Sequence, residues 1–164
     1  MIHLPEVIRQ LAGQGEAIRT LAQAFSDEQA QWKPGPDDWS LAEVMAHLAH
    51  EERNDFRRHL KEMFGEGPQP RERPAAADHR ETLAGFLAER QASVAWLSAL
   101  AAPDWEATKE LRFGPDETYT IGAAEMLWSW VEHDVLHLRQ MVELLHGWNE
   151  RQAAPFSLRY AGGW

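Results

Sequence analysis

Cysteine is absent from the 164 residues of this chain, and long apolar runs are absent as well. Without cysteine there can be no disulfide bond, no zinc–thiolate site and no protein thiol nucleophile, so we expect a reducing, cytoplasmic setting. The N-terminal residues lack the basic and apolar regions of a secretory signal peptide. No apolar run approaches the roughly 20 residues that a bilayer-spanning helix requires, so no membrane span is expected.

Basic residues are scarce too. Lysine and arginine total 16 against 26 aspartates and glutamates, which gives a formal charge of −10. An acidic surface repels phosphate backbones and anionic lipids, so we expect neither nucleic acid nor a membrane as a partner. The length and the apolar share of 44% fit one globular domain over residues 1–164. Eight tryptophans are many for this length: some are expected in the core, and that many rings could also line a pocket.

Helical periodicity predicts four long helices. Pro5 suits a first helical turn. Ser40 and Glu43 have the spacing of a capping box, and Asp78 with Glu81 makes a second cap. The predicted helices cover residues 5–25, 40–64, 78–101 and 120–146, followed by a tail without strong periodicity at 148–164.

Two segments between the helices carry their own predictions. The proline-rich stretch 65–77 is a long connection between helices two and three, and it can cross the bundle. Residues 111–113 and 118–120 flank a Gly-Pro-Asp-Glu turn and predict a small hairpin. The predicted fold is all-α, a four-helix bundle whose core covers about residues 5–147.

The fourth predicted helix carries a pair of histidines. His133 and His137 are four positions apart, so their side chains lie on one helix face and can converge on one ion. A third imidazole from a facing helix would leave coordination positions open, as a reactive metal site requires. The alternative is that each histidine is a buried group satisfied by a hydrogen bond.

The faces of this helix are mostly apolar. A broad stripe is predicted to be core and consists of Leu127, Trp128, Val131, Val135, Leu138, Val142 and Leu145. The two histidines share a second apolar lane with Met126, Trp130, Met141 and Leu144. Because only a narrow polar arc remains, we expect the helix to be covered nearly all round, by a second copy in a homodimer or by the tail.

The third ligand is not fixed by periodicity. His47 lies on the flank of the apolar stripe of helix two, a place where a surface histidine is the ordinary case. His50 and His59 are rivals, and His59 lies in the stripe itself. At this point all three remain candidates.

Two motifs resemble those of a known family. Residues 38–53, Asp-Trp-Ser-Leu-Ala-Glu-Val-Met-Ala-His-Leu-Ala-His-Glu-Glu-Arg, resemble the second-helix signature of the DinB-like superfamily. Residues 132–140, Glu-His-Asp-Val-Leu-His-Leu-Arg-Gln, resemble its fourth-helix signature, His-x-x-x-His followed by Gln. The resemblance covers roughly residues 5–147.

The resemblance implies a four-helix bundle that holds a divalent metal with one histidine of helix two and two of helix four. Carried over, these are His47, His133 and His137. The family includes S-transferases and isomerases that use low-molecular-weight thiols such as bacillithiol or mycothiol, many members without known activity, and several homodimers. The metal itself, whether zinc, nickel, iron or manganese, is not set by imidazole ligands.

The expected function is that of a metal-dependent thiol S-transferase, with a small thiol and an electrophile as partners. A bound metal would lower the pKa of the thiol. Glu51 and Glu52 are the candidate catalytic residues, as a group that orients a ligand imidazole or as a general base, although solvated helix carboxylates are commoner. The alternatives are a non-catalytic metal-binding, stress-associated bundle and a metal-dependent hydrolase.

Overall fold

A computed structural model describes residues 2–71, 78–113 and 117–163, with the side chain of Phe113 left out. Four long helical segments dominate it, which confirms the predicted all-α bundle. In chain order the elements are α1 (Leu4–Ala24), α2 (Asp27–Gln31), α3 (Leu41–Glu51), a π-helical turn (Glu52–Phe56), α4 (Arg57–Met63), α5 (His79–Ala99), β1 (Thr108–Phe113), β2 (Glu117–Gly122), α6 (Ala123–Ala153) and a 3₁₀ turn (Arg159–Ala161).

The predicted helix caps are present. The Ser40 hydroxyl accepts a hydrogen bond from the backbone N–H of Glu43, and the Glu43 carboxylate accepts one from the backbone N–H of Ser40 at 2.8 Å. Asp78 accepts hydrogen bonds from the backbone N–H groups of Arg80 and Glu81, both at 2.8 Å. Each cap satisfies backbone donors that the first helical turn leaves unpaired, and it therefore fixes where α3 and α5 begin.

The helices form a bundle in which sequence neighbours are not always spatial neighbours. α1 and α3 each pack against both α5 and α6, which places α1 and α3 at opposite corners. The second and third long helical segments, which the connection 65–77 links, are therefore neighbours in the bundle; residues 72–77 of the connection lie outside the described residues. The hairpin prediction is confirmed with longer strands, and Leu111 pairs with Tyr119. The predicted turn lies outside the described residues except for Glu117.

The end of the fourth long helix differs from the expectation. Gly147 does not stop the helix, since α6 continues to Ala153. A Cβ added at Gly147 would lie 3.0 Å from the ring of Trp32, so the glycine lets that ring pack closely against the helix. Trp32 also meets Trp148 edge to face at 5.8 Å. Here close packing, rather than helix termination, explains the glycine.

Two apolar clusters hold the bundle together. One lies around Leu41, Phe86 and Met141, and the other around Leu11, Leu127 and Trp130. Across the described ranges, no helix is both long enough and apolar enough to cross a bilayer.

The exposed side of α6 corrects the predicted core stripe. Trp128, Val135, Leu136 and Val142 are between 37% and 47% exposed. Leu127 and Val131 of the predicted stripe are buried, together with the lane that contains Met126, Trp130, Met141 and Leu144. Periodicity showed that α6 has two apolar sides, but the other helices cover only one of them.

Candidate metal centre

Three histidine side chains converge between α3 and α6. His47 comes from α3, and His133 and His137 come from successive turns of α6. Nε2 of His133 lies 3.0 Å from Nε2 of His47 and 3.2 Å from Nε2 of His137. One ring nitrogen of each residue lies within 4.8 Å of the others, and the described ranges contain no second group of three or more candidate ligands at such spacing.

The geometry of the three imidazoles fits a metal ion. A neutral imidazole has one nitrogen that donates a hydrogen bond and one that accepts. Three Nε2 atoms that face a common point cannot all be satisfied by one another, whereas a cation at that point interacts with all three lone pairs. Three nitrogens at 2.0–2.1 Å from one metal are about 2.8–3.4 Å apart for octahedral or tetrahedral angles. The two short Nε2–Nε2 distances fall within that range.

A hydrogen bond from the same helix orients His137. Its Nδ1 lies 2.8 Å from Oε1 of Gln140, one turn further along α6. Nδ1–H therefore donates to the amide oxygen, and this tautomer leaves the lone pair of Nε2 directed at the centre. Gln140 is the glutamine of the fourth-helix motif, to which sequence analysis assigned no role.

Burial keeps two of the imidazoles neutral. Burial, together with the neighbouring His137 and His50, lowers the pKa of His47 to about 4. Burial also lowers the pKa of His133 to about 3, with further contributions from His137 and His47. Both rings therefore present lone pairs, rather than protons, at neutral pH.

Glu51 lies behind His47 rather than at the common point. Its Oε1 is 3.7 Å from Nδ1 of His47, which is too long for a hydrogen bond. Burial and a hydrogen bond with Asp55 raise the pKa of Glu51 to about 8, so the carboxyl group holds a proton at neutral pH. The contact is therefore neither an ion pair at that pH nor a hydrogen bond, and Glu51 only lies beside the ring of His47.

Glu52 points away from the three histidines and into the core. It accepts hydrogen bonds from Arg90 at 2.8 and 2.9 Å and from the indole N–H of Trp130 at 2.9 Å. Arg90 also donates to Asp134 and, at 2.8 Å, to the backbone carbonyl of Leu11. This buried ion cluster joins α1, the π-helical turn, α5 and α6, so the contacts of Glu52 are structural.

The rival histidines lie outside the cluster. Nδ1 of His50 lies 3.2 Å from the side-chain nitrogen of Asn54. His59 is buried, with Nε2 3.0 Å from Asp55 and Nδ1 2.7 Å from the ammonium group of Lys109. Each has its own polar partner, and neither forms part of the three-histidine group.

An aromatic side chain forms a wall beside the histidines. Trp39, the residue before the α3 N-cap, stacks on the ring of His137 with centroids 6.3 Å apart. It also meets His47 edge to face at 5.1 Å. Trp39 is 41% exposed, so part of its indole faces outward beside the centre. Only the capped start of α3 places the ring there, which is why sequence analysis did not identify it.

Sequence analysis also missed the charged partners of Glu52. Arg90 and Asp134 are each at most 4% exposed and belong to predicted helices that read as ordinary amphipathic segments. The available signal was an aspartate directly after His133 inside an apolar lane. A lone carboxylate in such a lane requires a buried cation.

Comparison with solved structures supports the fold. YfiT from Bacillus subtilis, described as a probable metal-dependent hydrolase with an unusual four-helix bundle topology, superposes with a TM-score of 0.69 at 20% identity. The match covers 88% of this chain and 87% of YfiT. A conserved protein from Enterococcus faecalis matches with a TM-score of 0.57 at 17% identity, over 88% of this chain and 95% of that one. At these identities the likeness is one of fold.

Comparison with protein-family models identifies the family of the chain, whereas comparison with individual curated proteins does not. No curated protein matches the chain significantly. The family model of the DinB superfamily matches residues 10–141, a span that includes α3 and the histidine pair of α6. The chain belongs to the DinB superfamily.

Proposed function

We propose that His47, His133 and His137 hold one divalent metal ion, and that the chain is a metal-dependent S-transferase for a low-molecular-weight thiol. The observation that supports the metal site is the convergence of three Nε2 atoms at 3.0 and 3.2 Å, with two of the rings held neutral. Zinc, nickel, iron and manganese all remain suitable, because imidazole binds each of them.

A divalent metal at this point supplies a Lewis acid that lowers the pKa of a thiol. In the transfer, a sulfur–carbon bond forms, the bond from carbon to the leaving group breaks, and the thiol proton leaves with the leaving group to solvent. The hydrogen bond from Nδ1 of His137 to Gln140 keeps the ligand lone pair of His137 aligned. The outward face of Trp39 offers an apolar wall for the carbon skeleton of an electrophile.

The positions of the carboxylates favour a thiol over water as nucleophile. Attack by water is helped by a general base beside the water molecule. Among the described residues no carboxylate oxygen joins the three-histidine group, Glu51 lies behind His47, and Glu52 is bound to Arg90. A thiol needs less help, since its pKa already lies far below that of water.

A metal-dependent hydrolase is the second candidate. Its support is the likeness to YfiT, which is itself described as a probable metal-dependent hydrolase. Glu51 contacts one of the three histidines, with 3.7 Å between its Oε1 and Nδ1 of His47. In a hydrolase, Glu51→Gln is expected to lower the rate by about 10²–10⁴-fold, whereas the transferase needs no base there and loses far less.

The deciding experiment is conjugation of a thiol to 1-chloro-2,4-dinitrobenzene. Purified protein is stripped of metal, reloaded with zinc, nickel, manganese or iron(II), and assayed with bacillithiol, mycothiol and glutathione. Turnover that a chelator abolishes and added metal restores supports the transferase. Hydrolysis of ester or amide substrates without thiol turnover favours the hydrolase. A metal that only raises the melting temperature favours a non-catalytic role.

We also propose a homodimer in which α6 packs antiparallel against α6 of a second copy. The support is the exposed apolar side that Trp128, Val135, Leu136 and Val142 form. With a two-fold axis between Val135 and Leu136, Glu132 of each copy faces Arg139 of the other. The apolar centre is then flanked by complementary charges.

A reducing, cytoplasmic setting is proposed on the absence of cysteine.

A further inference from the structure

A second concave region lies next to the candidate metal centre. A cavity of about 580 Å³ opens between strand β1 and the helical segment from His50 to His59. Glu51 belongs to both places, because it lines this cavity while its Oε1 lies 3.7 Å from Nδ1 of His47. Asp55, also on the cavity wall, lies close enough to His47 and His133 to act on both rings electrostatically, so the cavity borders the centre on the Nδ1 side of His47.

The cavity wall carries more cationic than acidic side chains, although the protein as a whole is acidic. Four cationic side chains line it: Arg58, Arg71, Lys109 and Arg112. The acidic groups on its wall are Glu51, Asp55 and Glu110. The whole chain carries 16 basic against 26 acidic residues, so four cations around one concave surface run against the overall composition. Concave walls focus the field of such charges on a bound ion.

Two of these cations are held in position by the protein. Glu62 accepts a hydrogen bond from Arg58 at 2.7 Å and one from the ammonium group of Lys109. Arg58 also donates to the backbone carbonyl of Asn54 at 2.9 Å. These bonds fix the two head groups without using all of their N–H donors, since an ammonium has three and a guanidinium five.

The other two cations are unpaired in the described part of the chain. Within those ranges, Arg71 and Arg112 have neither an acidic partner nor a side-chain hydrogen bond, and both are exposed at the cavity. Guanidinium groups bind carboxylates and phosphates through paired N–H donors, and such charge-assisted bonds are stronger than neutral ones. The cavity thus combines two oriented cations with two for which the described residues supply no acidic partner.

We propose that this cavity binds the anionic group, a carboxylate or a phosphate, of the small molecule that reacts at the histidine centre. The proposal rests on the proposed function for its placement, since the cavity adjoins the centre through Glu51. Such an anion site would define the class of substrate that the chain accepts. The chain prefers a thiol that carries a carboxylate, or a phosphorylated electrophile, over neutral molecules of similar size.

Binding to metal-free protein tests the anion site independently of catalysis. Malate and inorganic phosphate are titrated separately into chelator-treated protein at low ionic strength and followed by amide NMR shifts. At least one is expected to shift the amides of Lys109–Arg112 and of Glu51, and added salt should weaken the binding. Tighter binding of malate indicates a carboxylate ligand, and tighter binding of phosphate indicates a phosphorylated one.

A charge-removing variant locates the site. Arg71→Gln combined with Arg112→Gln should weaken binding by about tenfold or more, because charge-assisted hydrogen bonds are lost. Arg151→Gln is the matched control, since Arg151 lies near the end of α6 over the ring of Trp148. It should bind as the unaltered chain does. Absence of binding by both anions, or binding that the double variant leaves unchanged, overturns the proposal.

Activity measurements separate this proposal from the proposed function. With metal-loaded protein, glutathione should show a lower KM than 2-mercaptoethanol, and the double variant should raise the glutathione KM while changing kcat little. Anion binding without any thiol turnover would keep the anion site and remove the transferase. Turnover with equal KM for both thiols, and no anion binding, would keep the transferase and remove the anion site.

Discussion

Nε2 of His47 and Nε2 of His133 lie 3.0 Å apart although 86 positions separate the two residues in the chain. One belongs to α3 and the other to α6, so their meeting depends on how these helices pack. The buried cluster of Glu52, Arg90 and Asp134 joins α6 to the π-helical turn that directly follows α3, five residues after His47 and one after His133. The helix contacts and the candidate centre therefore depend on one another.

His137→Ala should lower metal occupancy without unfolding the bundle. It removes one of three ligands, whereas the two apolar clusters do not depend on a metal, unlike the core of a zinc finger. The measurement is bound zinc per chain by elemental analysis after dialysis, with circular dichroism to follow the fold. His146→Ala, a histidine of α6 outside the group, is the control and should retain full occupancy. Equal zinc content in the two variants would contradict the assignment.

The metal-free protein should lose stability as the pH falls below about 6.5. The pKa values of His47 and His133 in the folded protein, about 4 and about 3, lie below the ordinary value near 6.5. The unfolded chain therefore takes up protons first, and the free energy of unfolding decreases as pH drops through this interval. The expected loss is on the order of a few kcal/mol. Urea unfolding between pH 7 and pH 4 measures it.

Glu51 changes the pH dependence of stability in the opposite direction, so the control experiment uses a variant without this carboxyl group. Its pKa of about 8 in the folded state lies above the ordinary value near 4.5, so its contribution to stability is lost as pH rises from 4.5 to 8. The comparison is therefore made in an E51Q background. There, His133→Gln should flatten the pH dependence, because the amide cannot take up a proton. A slope that is the same with and without His133 would refute the explanation.

Arg90→Met should destabilise the fold strongly. The substitution leaves Glu52 and Asp134, both almost fully buried, without their cation. Removing one partner from a buried ion pair typically costs about 3–5 kcal/mol. Arg53→Met is the matched control, since Arg53 is partly exposed and pairs with Glu89 at 2.9 Å. Its loss should cost no more than about 1 kcal/mol. Chemical unfolding of both variants provides the comparison.

A single introduced cysteine can test the proposed dimer, because the chain has none of its own. Leu136→Cys lies beside the proposed two-fold axis and should form a disulfide-linked dimer rapidly under mild oxidation. Gln23→Cys, exposed on α1, should remain monomeric on a non-reducing gel. Equal, slow cross-linking of both variants would exclude this face.

Charge reversal checks the same interface without a cross-link. Arg139→Glu should turn the proposed pairs with Glu132 into repulsive ones and weaken the dimer. Glu132→Arg combined with Arg139→Glu should restore it, since the pairs are then reversed but again complementary. Light scattering at micromolar concentration gives the mass of each variant. A monomeric unaltered chain would refute the dimer.

Much of the fold could be predicted from local patterns. The capping residues Ser40 and Asp78 start α3 and α5 because their side chains bond to the next few backbone N–H groups. Gly147 was misread as a helix stop because the same residue type also serves close packing. Its contact is with Trp32, which lies 115 positions earlier in the chain and cannot be inferred from local sequence.

The sequence by itself determined the i,i+4 pairing of His133 and His137, since helix geometry places these two side chains on one face. It also determined that α6 has two apolar sides. Only the tertiary structure decided that His47, rather than His50 or His59, meets that pair, and which side of α6 is covered. The physical reason is the distance along the chain over which each interaction acts. Hydrogen bonds within a helix act over a few residues, whereas the positions of α3 and α6 result from side-chain packing and from the buried charges around Arg90.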